Sequence, residues 1–178
     1  MFKLKSTKIG ILGGSFDPAH KGHLTISKIA LKKIKLKKIY WVVTKKNPFK
    51  KKTFFSLKDR IDKAKKISRK IKNIEVLYID DVIKSSKSIK VIQYILKKKK
   101  PKDLYFIVGS DILLKFHRWH SWKRIVKLTK LIVFSRKGYD RKSKKTIVVK
   151  YLNKNNITFI KNKPIEVSSS FLRKRIKI

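Results

Sequence analysis

The chain has 178 residues and a formal net charge of +41, because 51 lysines and arginines stand against 10 acidic residues. It contains no cysteine, which excludes disulfide bonds and thiolate zinc sites. Its 42% of hydrophobic residues is too high for a disordered chain, and no apolar run reaches the roughly 20 residues of a membrane-spanning helix.

Short apolar segments alternate with amphipathic ones, as strands and helices do in turn. Strands are predicted at residues 8–12, 39–43, 74–79, 104–108, 131–134 and 157–160. Helices are predicted at residues 22–34, 57–71, 88–98 and 122–128, and in a short C-terminal segment. Ser56 and Ser168 are the expected N-caps of the second and the last helix, with Asp59 in a capping-box position. Residues 146–152 fit either a strand or a helix.

Strands separated by helices of this length predict right-handed crossovers and a mostly parallel sheet. The expected fold class is α/β, a single doubly wound, Rossmann-like domain over residues 1–178 with a short C-terminal helical segment. In such sheets ligands bind beyond the carboxyl ends of the strands. Residues 13–21, 44–50 and 109–111 are therefore expected at one edge.

The excess of basic residues suggests a nucleic-acid-binding protein as one alternative. Arginine supplies only 8 of the 51 basic residues, and the lysines occur on nearly every predicted helix instead of in one patch. Because arginine is preferred for bidentate contacts to bases and phosphates, this composition argues against nucleic-acid recognition as the main function. We expect no nucleic acid and no membrane among the partners, and a cytoplasmic protein.

The segment between the first strand and the first helix carries the strongest chemical signal. It reads Gly13-Gly14-Ser15-Phe16-Asp17-Pro18-Ala19-His20-Lys21-Gly22-His23. The glycines let backbone N–H groups approach a phosphate, and the helix N-terminus adds positive potential. Two histidines three positions apart can face the same anion and donate to its oxygens as charge develops. The loop is neither a Walker A loop nor a dinucleotide fingerprint.

This loop resembles the opening HxGH motif of the nucleotidyltransferase superfamily, and more narrowly that of the bacterial nicotinate mononucleotide adenylyltransferases. Four later segments resemble further motifs of that family in the same order. They are residues 41–50 with Asn47-Pro48-Phe49-Lys50, residues 106–122 with Gly109, Asp111 and two tryptophans, residues 135–139 with Arg136, and residues 167–173.

The resemblance implies an enzyme that transfers an adenylyl group from ATP to nicotinate mononucleotide, giving deamido-NAD and pyrophosphate. It implies His20 and His23 as catalytic residues and Mg²⁺ as the ion that accompanies ATP, with no metal site of the protein's own. The implied ATP-binding residues are Gly13, Gly14, Ser15, Phe16, His20, Gly22, His23, Gly109, Asp111, Arg136, Ser168, Ser169, Ser170 and Arg173. The implied acceptor-binding residues are Asn47, Lys50, Ser88, Trp119 and His120.

The sequence departs from the family pattern in a segment that is expected to bind the acceptor. The third helix begins Lys87-Ser88-Ile89-Lys90-Val91-Ile92, which keeps one hydroxyl of the motif and lacks its Asp and second Thr. The nearest alternative is a phosphopantetheine adenylyltransferase, whose first motif normally has Thr in place of His20. The sequence leaves open the choice between nicotinate and nicotinamide mononucleotide, and also the oligomeric state, a homo-oligomer included.

Overall fold

The computed structural model of the chain describes residues 7–45, 52–163 and 167–176. Six parallel strands form one sheet in the order β3-β2-β1-β4-β5-β6. The strands are β1 (Lys8–Gly14), β2 (Lys38–Val43), β3 (Ile74–Leu77), β4 (Asp103–Gly109), β5 (Lys130–Phe134) and β6 (Ile157–Ile160). The chain therefore moves outward twice from the middle of the sheet, and the switch in strand order lies between β1 and β4.

Helices connect the strands and cover both faces of the sheet. They are α1 (Lys21–Ile34), α2 (Leu57–Ser68), α3 (Ser88–Lys99), α4 (Ser110–Leu113), α5 (Trp122–Leu128), α6 (Asp140–Ser143), α7 (Ile147–Tyr151) and α8 (Ser169–Ile176). Short 3-10 turns occur at Phe116–Arg118 and Lys154–Asn156. None of the helices within the described ranges is long and apolar enough to cross a membrane.

Two apolar cores lie on opposite faces of the sheet. Ala30 of α1 and Ala64 of α2 belong to one core, and Ile92 of α3, Ile125 of α5 and Val148 of α7 belong to the other. All five side chains are fully buried. Because both faces are covered, the central strands are apolar almost throughout, as is typical of parallel sheets.

The structure confirms the predicted fold class and corrects several element bounds. Helix α2 ends at Ser68 and strand β3 at Leu77, earlier than the apolar pattern indicates, since that pattern also includes apolar residues of the following turns. Residues 146–152 contain the helix α7. The short helices α4 and α6 were not expected, since four residues carry no helical periodicity of their own.

Both predicted N-caps are present. The hydroxyl of Ser56 accepts a hydrogen bond from the backbone N–H of Asp59 at 3.1 Å, and Ser168 Oγ accepts one from the N–H of Phe171 at 3.1 Å. The Asp59 carboxylate accepts from the Ser56 hydroxyl at 2.7 Å, in contrast to the backbone contact of a standard capping box. Local sequence thus defines where α2 and α8 begin.

Candidate functional site

Two histidines cap the N-terminus of α1. The backbone N–H of Gly22 donates to Nδ1 of His20 at 3.1 Å, and the backbone N–H of His20 donates to Nδ1 of His23 at 3.2 Å. The two ring centroids are 3.9 Å apart. In a neutral imidazole whose Nδ1 accepts, the proton is on Nε2. The caps therefore orient two N–H donors beside a helix N-terminus, where an anion is favoured.

Burial keeps the ring of His20 neutral. The residue is 5% exposed, and burial, together with the positive charge of Arg136, lowers its pKa to about 4. Near pH 7 the imidazole is therefore an uncharged hydrogen-bond donor. Arg136, in the segment after β5, therefore lies close enough to His20 for its charge to act on the ring.

The loop between β1 and α1 is anchored by an aromatic side chain. Phe16 is buried with a φ of 45°, and its ring stacks on Trp41 with a centroid separation of 5.3 Å. The same ring lies 4.8 Å from that of His23. At the end of β1, Gly13 is exposed and Gly14 is half-buried. The loop backbone is thus held against the sheet, and the two glycines leave it open to a ligand.

The ends of β4 and β5 are joined by hydrogen bonds. Ser110 Oγ donates to Asp140 Oδ1 at 2.8 Å, and the backbone N–H of Arg136 donates to both of these side chains at 2.9 and 3.0 Å. The carboxylate of Asp111 lies 3.6 Å from Nε of Arg136. A Cβ atom at Gly109 would collide with that carboxylate. Gly109, Asp111 and Arg136 therefore form one polar cluster at the sheet edge.

Helix α8 docks onto the loop after β1. Ser169 Oγ donates to the carbonyl of Pro18 at 2.9 Å, and Nη1 of Arg173 donates to the carbonyl of Asp17 at 2.6 Å. Nη2 of Arg173 donates to Ser170 Oγ at 3.0 Å. The described part of the C-terminal segment is thereby tied to the same edge as the histidines, across more than 150 residues of sequence.

Among the described residues, the side chains expected to contact the acceptor follow β3 and β4. Ser88 is half-buried at the first position of α3. Trp119 is also half-buried, and one face of its ring stacks on Phe116 at a centroid distance of 4.9 Å. His120 is exposed. Asn47 and Lys50 lie outside the described residues. Ser88, Trp119 and His120 lie in the connections that leave the carboxyl ends of β3 and β4, the edge of the sheet at which the other candidate residues lie.

Four charged residues that connect these loops were not singled out from the sequence. Asp17, Arg60 and Asp80 are each at most 4% exposed. Asp140 joins the ends of β4 and β5, and although burial opposes its ionisation, hydrogen bonds from Ser110 and from the Arg136 N–H lower its pKa. For Asp80 a signal was available, because it directly follows the predicted strand at residues 74–79 in a chain with only 10 acidic residues.

No cluster of three or more histidine or carboxylate side chains suited to hold a metal ion occurs within residues 7–45, 52–163 and 167–176. Asp111, the carboxylate next to the end of β4, is paired with Arg136.

Comparisons with known proteins agree on the kind of protein to which this chain is similar. The cytidylyltransferase-like family matches residues 11–175. The "Probable nicotinate-nucleotide adenylyltransferase" of Pelagibacter ubique is 51% identical over 170 residues, covering 96% of this chain and 94% of that protein. The protein of the same name from Aquifex aeolicus is 35% identical over 167 residues, covering 90% and 98% of the two chains.

A solved structure shares the fold. The nicotinic acid mononucleotide adenylyltransferase of Plasmodium falciparum, complexed with NaAD, superposes with a TM-score of 0.73 over 94% of this chain and 83% of that one. At 20% identity this likeness supports the fold alone.

Proposed function

This chain belongs to the cytidylyltransferase-like family and, within it, to the nicotinate-nucleotide adenylyltransferases, and we propose that residues of the loop after β1 carry out its adenylyl transfer. The reaction converts ATP and nicotinate mononucleotide to deamido-NAD and pyrophosphate, a step of NAD biosynthesis. The observation that carries the assignment of the site is the pair of mutually capped histidines at the N-terminus of α1.

The reaction needs no protein nucleophile. An oxygen of the acceptor's 5′-phosphate attacks the α-phosphorus of ATP, the bond from that phosphorus to the bridging oxygen breaks, and pyrophosphate leaves from the opposite side. Phosphoryl-type transfer of this kind is accelerated by alignment and by stabilisation of charge on the phosphate oxygens. The residues of the site are therefore assigned to binding and orientation.

His20 and His23 donate from Nε2 to oxygens of the ATP phosphates. Because each Nδ1 already accepts a backbone N–H, the rings are fixed in one tautomer and one orientation before ATP arrives. Preorganised donors need little rearrangement as charge develops, which is the basis of their catalytic effect. The low pKa of His20 supports a role as a neutral donor instead of a general acid.

Arg136 and Arg173 supply positive charge near the histidines. Arg136 lies near enough to His20 to influence its pKa, and Arg173 is held to the loop through Asp17. Together with the serines at positions 168–170, Arg173 stabilises the departing pyrophosphate. Asp111, next to Gly109 at the end of β4, accepts from the ribose hydroxyls of ATP, a common task of carboxylates in this type of fold.

The acceptor occupies the neighbouring loops. Ser88, Trp119 and His120 follow strands that end at this sheet edge, and we assign the half-buried ring of Trp119 to stacking with the pyridine ring of the acceptor. Asn47 and Lys50, which lie outside the described residues, are assigned to the acceptor only by their similarity to the family motif. The assignment of the acceptor is supported by these residues and by the similarity to bacterial proteins named as probable nicotinate-nucleotide adenylyltransferases.

Mg²⁺ enters with ATP as part of the substrate. We expect the phosphate oxygens of ATP and water to supply most of its ligands. When bound there it neutralises part of the charge of the triphosphate. We also propose a single catalytic domain over residues 1–178, a proposal that the one continuous sheet supports.

The acceptor is tested by supplying ATP and Mg²⁺ with nicotinate mononucleotide, nicotinamide mononucleotide or phosphopantetheine, and measuring pyrophosphate release and the mass of the product. We expect the highest kcat/KM with nicotinate mononucleotide and a product with the mass of deamido-NAD. A preference for phosphopantetheine, or no product with either pyridine nucleotide, would contradict the proposal.

A further inference from the structure

Arg60 is the only buried lysine or arginine among the described residues of this very basic chain, and it is 1% exposed. It lies in the first turns of α2. Its Nη1 donates to the carbonyl of Ser15 at 2.7 Å and to the carbonyl of Thr44 at 2.8 Å. One guanidinium nitrogen therefore joins the loop after β1 to the segment that follows β2.

Asp80 holds the same segment from the other side. Its Oδ2 accepts from the backbone N–H of Lys45 at 2.8 Å, from Thr44 Oγ1 at 3.0 Å and from Ser86 Oγ at 2.6 Å. Both polar groups of the peptide bond between Thr44 and Lys45 are thus hydrogen-bonded. Its carbonyl accepts from Arg60, and its N–H donates to Asp80. Asp80 itself is 4% exposed and follows β3.

The contact with Ser15 also sets the direction of a donor. A trans peptide is planar, so its N–H points away from its carbonyl. Because the Ser15 carbonyl is held by Arg60, the N–H of Phe16 is turned to the opposite side of the loop. Phe16 has a φ of 45°, a left-handed conformation that a residue other than glycine adopts only when its surroundings impose it.

A buried guanidinium is costly to desolvate, and a well-packed apolar side chain is often at least as stabilising in its place. Burial lowers the pKa of Arg60, and the nearby carboxylates of Asp17 and Asp80 oppose that effect. An apolar side chain at this position would therefore stabilise the fold as well as arginine does. What arginine adds is a fixed position for the two loop carbonyls that it holds.

We propose that Arg60 and Asp80 are positioning residues that fix the loop after β1 relative to the segment after β2, and so align the ATP phosphates with the acceptor phosphate. This inference rests on the proposed function, in which the first loop binds ATP and the segment after β2 leads to the acceptor-binding residues. Both residues act through the backbone that they hold and neither touches the reacting atoms.

The variant Arg60→Met tests this by removing the charge and both hydrogen bonds at similar side-chain length. Misplacement of reacting groups by about 1 Å can cost about 100-fold in rate. We expect kcat to fall by about that factor. The dissociation constant of ATP should change less than about fivefold, since the residues that bind ATP are all still present. Arg60→Lys, which keeps a charged donor, should recover part of the lost kcat.

Ser68→Ala is the matched control, because it removes a buried hydrogen bond to the Ala64 carbonyl on the same helix, away from the loops. It should lower the Tm and leave kcat within about twofold. If Arg60→Met does not fold, Asp80→Asn replaces it, since it keeps an acceptor oxygen and removes the charge.

The outcomes separate the two proposals. A wild-type protein without adenylyl transfer would overturn the proposed function and this inference with it. An active wild type beside a folded Arg60→Met or Asp80→Asn of near-normal kcat would overturn the inference alone. An equally large loss of kcat in Ser68→Ala and in the Arg60 variant would also overturn the inference. Such a result would mean that kcat decreases with any lowering of the Tm.

Discussion

At the scale of single residues, the proposed function gives His20 two tasks that place different demands on the two nitrogens of its ring. Its Nδ1 must accept a hydrogen bond to cap α1, and its Nε2 must carry a proton to donate to phosphate. Both demands are met only by the neutral ring, and burial together with Arg136 lowers the pKa of His20 to about 4. Spacing along the sequence predicted that His20 and His23 lie together, and their mutual capping became visible only in the structure.

The low pKa of His20 predicts a dependence of stability on pH. Since its pKa is about 4 in the folded chain and 6.5 in an unfolded one, the unfolded state binds more protons between these values. The free energy of unfolding should therefore fall as the pH drops from 6.5 to 4, by up to about 3 kcal/mol from this residue. Urea unfolding at pH 7 and pH 4.5 measures the change.

His20→Asn is the comparison for that measurement. Asparagine keeps an oxygen that can cap the helix and does not titrate in this range. The variant should lose about 2 kcal/mol less than the wild type between the two pH values. An equal loss in both proteins would show that His20 is not buried as a neutral ring.

At the scale of secondary-structure elements, the periodicity of apolar residues predicted the six strands and the long helices. It missed α4 and α6, because these short helices depend on tertiary hydrogen bonds such as that from Ser110 to Asp140. It also did not reveal that α8 docks on the loop after β1, since that contact joins Arg173 to Asp17 at the far end of the chain.

The docking of α8 predicts different effects for two arginines two positions apart. Arg173→Ala removes contacts with Asp17 and Ser170 and takes a positive charge from the pyrophosphate side of the site. We expect kcat/KM for ATP to fall by about 100-fold, as for other charge-assisted contacts that strengthen during the reaction.

Arg175→Ala is the matched control for the α8 prediction. Arg175 is exposed and lies 5.7 Å from the ring of Phe171. Its replacement removes the same charge from the same helix and should leave kcat/KM within about threefold. Equal losses in the two variants would indicate that general attraction of ATP, and no specific contact of Arg173, explains the effect.

At the scale of the whole molecule, the alternation of strands and helices was enough to predict the doubly wound sheet, and it indicates the edge at which ligands are expected. The ordered motifs were enough to predict the family, which the relatives confirm. The roles of individual site residues stay predictions. What the sequence could not reveal is the set of buried polar contacts between loops, such as those of Arg60, since they join segments distant in the chain.

The net charge of +41 predicts a strong effect of salt on the capture of ATP. A positive field raises the local concentration of anions, and added salt screens it within about 10 Å at 0.1 M. We expect kcat/KM for ATP to fall by about tenfold or more between 20 mM and 500 mM potassium chloride, with kcat at saturating ATP little changed. A salt-independent kcat/KM would show that the charge has no part in substrate capture.

The central claim, that the capped histidines carry out adenylyl transfer, is tested most directly by the turnover of His23→Gln with ATP and nicotinate mononucleotide. Glutamine at this position of a capping box can keep the contact to the His20 N–H, so the helix and the fold should persist. It replaces the fixed imidazole Nε2 donor by an amide donor on a side chain with one more rotatable bond, so the preorganisation of the donor is lost, and we predict a kcat lower by about 100-fold at an almost unchanged Tm. A folded His23→Gln with near-normal kcat would contradict the account.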